Sequence, residues 1–302
     1  MRPKPLTVES PAKVNLLLKI TGIRKDGYHT IASLFQMVEL CDRITFSPAP
    51  SGTVRVTCSG QAIRQKDNLA YNAAMALWRP GLPGVRIHIE KKIPSGAGLG
   101  GGSSNAATVL SVLNRLWGLG LSPAALRAKG ARLGADVPFF LFGPRAWVTG
   151  IGDGLLPLPP AERFCLLLVK PRVKVPTVKA YRDFDAQLTH PLKSYKIPAV
   201  FRKEGVLLDD AAGFLENDLE KTVLGAFPVV ATIKRKLIDL GAKGVMLTGS
   251  GSAVFALFKS PRLAFAARRK LSKQPWWCEV TLPRESMKHL DIAGRLEWRS
   301  RK

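Results

Sequence analysis

Cysteine and histidine are scarce in this chain, with four of each among 302 residues. The cysteines, Cys41, Cys58, Cys165 and Cys278, lie far apart with no CxxC pair, and the histidines are not paired either. This pattern excludes a zinc ribbon and a disulfide-stapled scaffold, and it fits a protein of a reducing compartment.

Long apolar runs are also missing. No stretch approaches the ~18 residues that are needed to span a bilayer. The first ten residues, MRPKPLTVES, contain no apolar signal core. We therefore expect a soluble, cytoplasmic protein with no membrane partner.

Acidic residues are few beside basic ones. The chain has 22 Asp and Glu against 46 Lys and Arg, a net charge of +24, and its pI is about 10.4. Such a charge suits nucleic acid, an anionic membrane or a phosphate-bearing ligand. The basic residues are scattered, without a zinc finger, an RNP motif or a basic stripe with interleaved aromatics. A nucleic-acid-binding protein is therefore an alternative that no sequence motif supports. A general bias in composition explains the positive charge more simply.

The remaining composition is that of a globular protein, with 46% hydrophobic and 23% charged residues. The length is about twice the ~150 residues of a typical domain. A proline-rich stretch at 155–160 predicts a boundary, which divides the chain into domains 1–158 and 159–302. Predicted strands and helices interleave without strict βαβ alternation, so we expect an α+β fold with two lobes.

Hydrophobic periodicity and turn residues predict the elements of both halves. The predicted strands are 12–22, 35–46, 53–58, 85–90, 139–150, 164–170, 244–248, 253–258 and 277–282. The predicted helices are 68–78, 106–117, 122–133, 211–224, 228–240 and 262–272. The basic segment 174–205 has no clear pattern.

A glycine-rich loop, PSGAGLGGGSSNA at 94–106, is the strongest local feature. It leaves one predicted strand and enters a predicted helix. Its five glycines permit a positive φ and let backbone N–H groups come close to a ligand. Because the start of a helix favours an anion, phosphate is the expected guest. A glycine turn without a ligand is the plainer alternative.

Two common nucleotide motifs do not explain this loop. Walker A needs a lysine after its glycines, and none follows here. The GxGxxG string of a dinucleotide-binding fold is present, but that fold also needs an acidic residue ~20 positions later. No Asp or Glu occurs from Lys91 to Ala135.

The loop resembles the phosphate loop of the GHMP kinases, the family of galactokinase, homoserine kinase and mevalonate kinase. PAKVNL at 11–16 and LTGSGSA at 247–253 resemble the first and third motifs of the family, in the same order. The resemblance implies a two-lobed fold with the active site in the cleft, and ATP as phosphoryl donor with Mg²⁺. The ATP-binding residues it implies are Pro94, Ser95, Gly96, Ala97, Gly98, Leu99, Gly100, Gly101, Gly102, Ser103 and Ser104.

Lys13 and Asp136 are the catalytic residues that the resemblance implies. Phosphoryl transfer needs cationic neutralisation and an acceptor for the hydroxyl proton. Asp136 lies in GADVPF at 134–139, where a turn or N-cap aspartate is the plainer interpretation. Lys13 lies in an apolar strand, where a lysine is costly unless it has an anionic partner; otherwise it is an edge residue. The sequence indicates no metal-ligating residue.

GYHT at 27–30 and LFQ at 34–36 resemble the family branch whose acceptor substrate carries a cytidine diphosphate group and whose reaction belongs to non-mevalonate isoprenoid synthesis. The resemblance implies that Asn15 helps to hold this small-molecule substrate and that Tyr28, His29 and Tyr181 enclose the base. Exposed loop residues are the plainer interpretation of Tyr28 and His29. Lys91 and Lys92 could reach the phosphates or be solvated.

Three alternatives to this enzyme stay open at the level of sequence. A different GHMP kinase would share the loop but act on a substrate without a base. A non-catalytic sensor on the same fold is disfavoured by Lys13 and Asp136. A nucleic-acid-binding protein has only the charge in its favour. The sequence leaves monomer and homodimer equally open.

Overall fold

The structure, a computed structural model, describes residues 4–60, 63–160, 164–203, 208–287 and 290. Within these residues no helix is both long enough and apolar enough to cross a membrane. The chain forms two sheets with helices packed on them, so the α+β fold is confirmed.

The larger sheet has seven strands. They are β1 (Leu6–Ile23), β2 (His29–Ala49), β3 (Val54–Cys58), β4 (Gly84–Glu90), β5 (Arg145–Gly150), β6 (Gly154–Pro157) and β8 (Glu216–Asn217). The main order is β3-β4-β2-β1-β8, and β5 also pairs with β2 and with β6. β1 and β2 form a long antiparallel hairpin. Alternating and β-branched residues predict the core of this hairpin correctly, although both strands extend beyond the predicted limits.

Four helices accompany this sheet: α1 (Leu69–Met75), α2 (Gly101–Leu116), α3 (Pro123–Ala131) and α4 (Val137–Phe140). α2 is buried on several sides, since most of its residues from Ser104 to Asn114 have almost no exposed surface. Ala106, Leu110 and Leu113 of α2 join the apolar core under the sheet. This core fixes the start of α2, which is also the end of the glycine loop.

The smaller sheet is antiparallel, in the order β11-β7-β10-β9. Its strands are β7 (Cys165–Lys170), β9 (Gly244–Leu247), β10 (Val254–Phe258) and β11 (Trp277–Thr281). The helices of this half are α5 (Thr177–Asp185), α6 (Leu208–Gly213), α7 (Glu220–Ala226), α8 (Pro228–Asp239) and α9 (Pro261–Lys270).

Two predicted elements are wrong in part. The strand predicted at 139–150 is α4 followed by β5, because Pro138 lies in the first turn of a short helix and its apolar side chains are buried. The helix predicted at 211–224 is interrupted between α6 and α7 by β8. The segment 174–205, for which no element was predicted, contains α5.

The two halves meet along β1. β8 pairs in parallel with β1 at Leu17 and Leu18, and Lys19 forms ion pairs with Glu216 and Asp218. An apolar cluster containing side chains of both sheets lies behind this contact. The predicted boundary at 158/159 falls between β6 and β7 and stays a prediction.

Candidate active site

Every second residue of the glycine loop, from Gly96 to Gly100, has a positive φ. Gly96, Gly98 and Gly100 have φ values of 61, 76 and 69°, a region that side chains disfavour. A Cβ on Gly98 would lie 2.1 Å from the carbonyl oxygen of Thr248, and one on Gly100 would lie 2.9 Å from the ring of Phe140. Glycine is therefore required here both by conformation and by close packing.

Asp42 anchors the entrance of this loop. Its carboxylate is fully buried and accepts hydrogen bonds from the backbone N–H groups of Lys92 (2.8 Å) and Ile93 (2.9 Å). It also pairs with the ammonium of Lys91 and accepts from the amide of Asn105 at 3.0 Å. Lys91 is thus committed to a structural ion pair beside the loop.

The two serines at the start of α2 differ in position. Ser103 lines a cavity of about 840 Å³. Ser104 is fully buried, its hydroxyl bonds that of Ser10 at 2.8 Å, and its N–H donates to Gly100 at 2.9 Å. The structure therefore does not bring Ser104 to the cavity.

Other loop residues also lie away from the cavity wall. Ala97 and Leu99 are buried in the apolar cluster between the sheets, and the carbonyl of Leu99 accepts from the N–H of Lys13 at 3.0 Å. Of the eleven loop positions implied as ATP-binding, those that line the cavity are Gly96, Gly98, Gly100 and Ser103; those that do not are Pro94, Ser95, Ala97, Leu99, Gly101, Gly102 and Ser104.

The C-terminal glycine motif closes over the glycine loop. The Thr248 hydroxyl accepts from the N–H of Asn15 at 3.1 Å and lies 3.3 Å from the carbonyl oxygen of Gly98. Asn217 of β8 donates to the carbonyl groups of Leu247 and Gly249, both at 2.9 Å. Residues 13–15, 98 and 248 are therefore fixed against one another.

Lys13 and Asp136 meet at the bottom of the cleft. The Lys13 side chain is only 4% exposed, and its Nζ lies 3.4 Å from Oδ2 of Asp136, whose side chain is 30% exposed. The same ammonium donates to Oδ1 of Asn15 at 2.7 Å and lies 4.4 Å from the centre of the Phe35 ring. Asp136 precedes α4 without capping it, so its carboxylate is free to face the cleft.

His29 and Tyr181 form an aromatic wall of the cavity. The rings of His29 and Tyr181 lie 4.7 Å apart at an angle of 38°. Nε2 of His29 is 2.8 Å from Oδ1 of Asp185, and because a carboxylate only accepts, Nε2 carries the hydrogen. Burial, together with the charge of Asp136, raises the pKa of Tyr181 to about 12. Tyr28 is 64% exposed at the rim.

The Lys13–Asp136 pair, the aromatic residues and part of the glycine loop line one cavity of about 840 Å³. It brings together Lys13, Asn15, Tyr28, His29, Asp136 and Tyr181 with three glycines of the loop and with Gly249–Gly251. A cavity of this size, lined by lysines, bare glycine backbone and aromatic rings, can hold a phosphorylated ligand that carries a base.

A metal cage made by the protein alone is not found in the described parts of the chain, where no three His, Cys, Asp or Glu side chains come together. Mg²⁺ usually keeps several waters and binds one or two carboxylates together with substrate phosphates. Asp136 and Ser103 both line the cavity.

Several residues of the site were not predicted from the sequence. Asp42, Asp185 and Asn217 act through contacts with residues 50, 156 and 30 positions away. Only Asp42 carried a signal, since an acidic residue within an apolar strand requires a partner.

Comparisons with known proteins agree with this geometry. A family model described as GHMP kinases N terminal domain matches residues 68–144. A second, described as GHMP kinases C terminal, matches residues 197–275.

Two curated relatives from bacteria are both named 4-diphosphocytidyl-2-C-methyl-D-erythritol kinase. The protein of Syntrophotalea carbinolica is 43% identical over 271 residues, which are 89% of this chain and 95% of the relative. That of Moorella thermoacetica is 42% identical over 262 residues, 83% of this chain and 90% of the relative.

Solved structures show the same relationship. A crystal structure of 4-(cytidine 5'-diphospho)-2C-methyl-D-erythritol kinase matches with a TM-score of 0.74 and 36% identity, covering 92% of this chain and 100% of that chain. Homoserine kinase from Cytophaga hutchinsonii matches with a TM-score of 0.66 and 19% identity, covering 94% of this chain and 95% of that one. The latter similarity is one of fold.

Proposed function

The chain belongs to the GHMP kinase family, and from that premise we propose that it transfers the γ-phosphoryl group of ATP to the 2-hydroxyl of 4-diphosphocytidyl-2-C-methyl-D-erythritol. This reaction belongs to the non-mevalonate route to isoprenoid precursors. The relatives above 30% identity carry this activity in their names. The proposal places the enzyme in the cytoplasm, as a monomer or homodimer, with no specific nucleic-acid partner.

One observation carries the proposal: a single cavity joins the glycine loop, the Lys13–Asp136 pair and the aromatic wall of His29 and Tyr181. A kinase for a substrate without a base needs the first two features but not the third. A nucleic-acid-binding protein needs none of them. The cytidyl substrate therefore explains the site better than either alternative.

The proposed chemistry is direct transfer in line. The acceptor oxygen forms a bond to the γ-phosphorus, the bond from that phosphorus to the β–γ bridging oxygen breaks, and ADP leaves with the electron pair. The hydroxyl proton passes to the Asp136 carboxylate and then to solvent. A carboxylate is a weak base, so it orients the hydroxyl first and takes the proton late, as charge moves onto the transferred group. Lys13 holds Asp136 in place and neutralises that charge.

The phosphates would be held by backbone N–H groups of the loop at the start of α2, where the helix dipole favours an anion. Gly96, Gly98 and Gly100 leave this backbone open to the cavity. Mg²⁺, when bound with the triphosphate, would supply further neutralisation of charge, with Asp136 and Ser103 as the protein groups within the cavity.

The base would be recognised by Tyr28, His29 and Tyr181. Tyr28 and Tyr181 offer ring faces for stacking, which is worth ~1–3 kcal/mol per base. Asp185 fixes the hydrogen on Nε2 of His29, which leaves Nδ1 of the neutral ring as an acceptor. An acceptor matches the amino group of cytosine and opposes the carbonyl group that uracil has at the same position. Asn15 would hold the acceptor beside Lys13.

A coupled assay of ADP release tests the proposal. The enzyme, ATP and Mg²⁺ are combined separately with the cytidyl substrate, mevalonate, homoserine and galactose, and Asp136→Asn serves as the inactive control. We expect turnover with the cytidyl substrate alone. Faster turnover with any of the other three acceptors would contradict the proposal.

A further inference from the structure

We propose that Lys174 is a ligand of the nucleotide phosphates. The sequence offered Lys91 for this role, but Lys91 is paired with Asp42. The inference rests on the proposed function only in that ATP binds at the glycine loop; it does not depend on the identity of the acceptor. Lys174 lies between β7 and α5 and belongs to neither element.

The side chain of Lys174 lies along the glycine loop. A Cβ on Gly96 would be 3.3 Å from Cγ of Lys174, 3.5 Å from Cε and 3.7 Å from Cδ. The whole methylene chain therefore runs over the bare backbone of Gly96, and the ammonium belongs to the cavity that also contains Lys13 and Asp136. The bare backbone of Gly96 therefore leaves room for the methylene chain of Lys174 beside the glycine loop.

The backbone on both sides of Lys174 is fixed. The carbonyl oxygen of Val173 accepts from the Ser252 hydroxyl at 2.7 Å and from the Lys170 ammonium at 3.3 Å. Val175 is 4% exposed and belongs to the core of the smaller sheet. Lys174 is therefore an exposed side chain on a fixed backbone, so that placing its charge costs entropy of the side chain but little of the backbone.

The charges of the cavity leave Lys174 without a partner. Three carboxylates line the cavity, and each has a partner of its own: Asp136 pairs with Lys13, Asp185 with His29, and Asp26 with Arg24. Arg182, also in the lining, is 3.8 Å from Asp183. In the described part of the chain Lys174 is the lining cation with no carboxylate nearby.

A polyanion is the ligand that fits this surplus charge, because ammonium–phosphate hydrogen bonds are charge-assisted and short. The acceptor also carries a diphosphate, but Lys174 packs on Gly96 of the glycine loop, which the proposed function assigns to the nucleotide. The geometry therefore favours the phosphates of the nucleotide.

Calorimetric titration of ATP, ADP and adenosine, in the absence of any acceptor, tests the inference. The variants are Lys174→Ser, Lys174→Arg and, as a matched control, Lys259→Ser, an exposed lysine outside the cavity. We expect Lys174→Ser to weaken ATP about 10-fold, which corresponds to about 1.4 kcal/mol, and to leave adenosine unchanged. Arginine should restore most of the affinity, and Lys259→Ser should behave as the wild type.

The possible results separate the inference from the proposed function. Unchanged ATP affinity in Lys174→Ser, or an equal loss of affinity for adenosine, would overturn the inference. If the wild type binds ATP through Lys174 but does not phosphorylate the cytidyl substrate, the inference stands and the proposed acceptor is wrong. Thermal unfolding of each variant verifies that the fold is intact.

Discussion

Replacement of Asp136 by asparagine removes the proposed proton acceptor and keeps the shape of the side chain. The carboxylate is 3.4 Å from the buried ammonium of Lys13 and open to the cavity. We expect turnover to fall by ~10²–10⁴, the usual effect of losing a general base. At 1.36 kcal/mol for each factor of ten, this is an increase of about 2.7–5.4 kcal/mol in the barrier.

The same substitution has a smaller effect on stability. Breaking a fully buried ion pair costs about 3–5 kcal/mol because one charge is left without its partner. Here Asp136 is 30% exposed, and Asn15 still accepts from Lys13 at 2.7 Å. We therefore expect the free energy of unfolding to fall by only about 1–2 kcal/mol, which is about the contribution of one hydrogen bond to a charged group.

Three measurements separate these effects. Steady-state kinetics give kcat and KM, calorimetry gives the Kd of ATP, and thermal unfolding gives Tm. ATP affinity should stay within a few-fold, since the nucleotide is held by the loop. Asp239→Asn, an exposed substitution at the end of α8, is the control for loss of one negative charge. If Asp136→Asn keeps more than half of the wild-type kcat while folded, Asp136 is structural and the proposed mechanism fails.

Three further predictions concern other parts of the molecule. Tyr28→Ala should weaken binding of the cytidyl substrate roughly 5- to 150-fold, from a stacking contribution of ~1–3 kcal/mol, and leave ATP binding unaffected. Tyr181→Phe should be nearly neutral. If direct binding shows that Tyr28→Ala loses equal affinity for both ligands, the role of Tyr28 is structural. Gly98→Ala should lower Tm further than Gly118→Ala, because both have positive φ but only the first places a methyl group 2.1 Å from a carbonyl oxygen; equal shifts would remove the packing argument. Burial raises the pKa of the Cys41 thiol to about 12 and raises the pKa of the other three cysteines as well. At pH 8 the thiols of the folded protein are therefore protonated and should be alkylated far more slowly than those of the protein unfolded in guanidinium. Rapid alkylation of the folded protein with loss of activity would contradict this.

The sequence was most informative where one residue type meets a local backbone demand. The glycine loop is recognisable because Gly96, Gly98 and Gly100 must adopt positive φ at the entrance of a helix. Lys13 is recognisable because a cation in an apolar strand needs a partner. Its partner could be suggested only through the family resemblance, since 123 residues separate Lys13 from Asp136 in the chain.

Contacts across long separations were out of reach. Nothing near Asp185 indicates that α5 brings it to His29, because that pairing depends on how the two halves pack. An apolar run gave one wrong prediction, the strand at 139–150. Phe139 and Phe140 are as hydrophobic as the residues of a buried strand, and only the position of Pro138 favoured a helix. The separate positions of Ser103 and Ser104 follow from helical geometry, which turns adjacent side chains to different sides.

Phosphorus NMR of the complete reaction tests the central claim most directly. The wild-type enzyme is incubated with ATP, Mg²⁺ and the cytidyl substrate, and the spectrum is followed as ATP is consumed. The account predicts a new phosphomonoester signal on the acceptor that grows in step with ADP, and that grows ~10²–10⁴ times more slowly with Asp136→Asn. ATP consumption that yields only inorganic phosphate, with the acceptor unchanged, would contradict it.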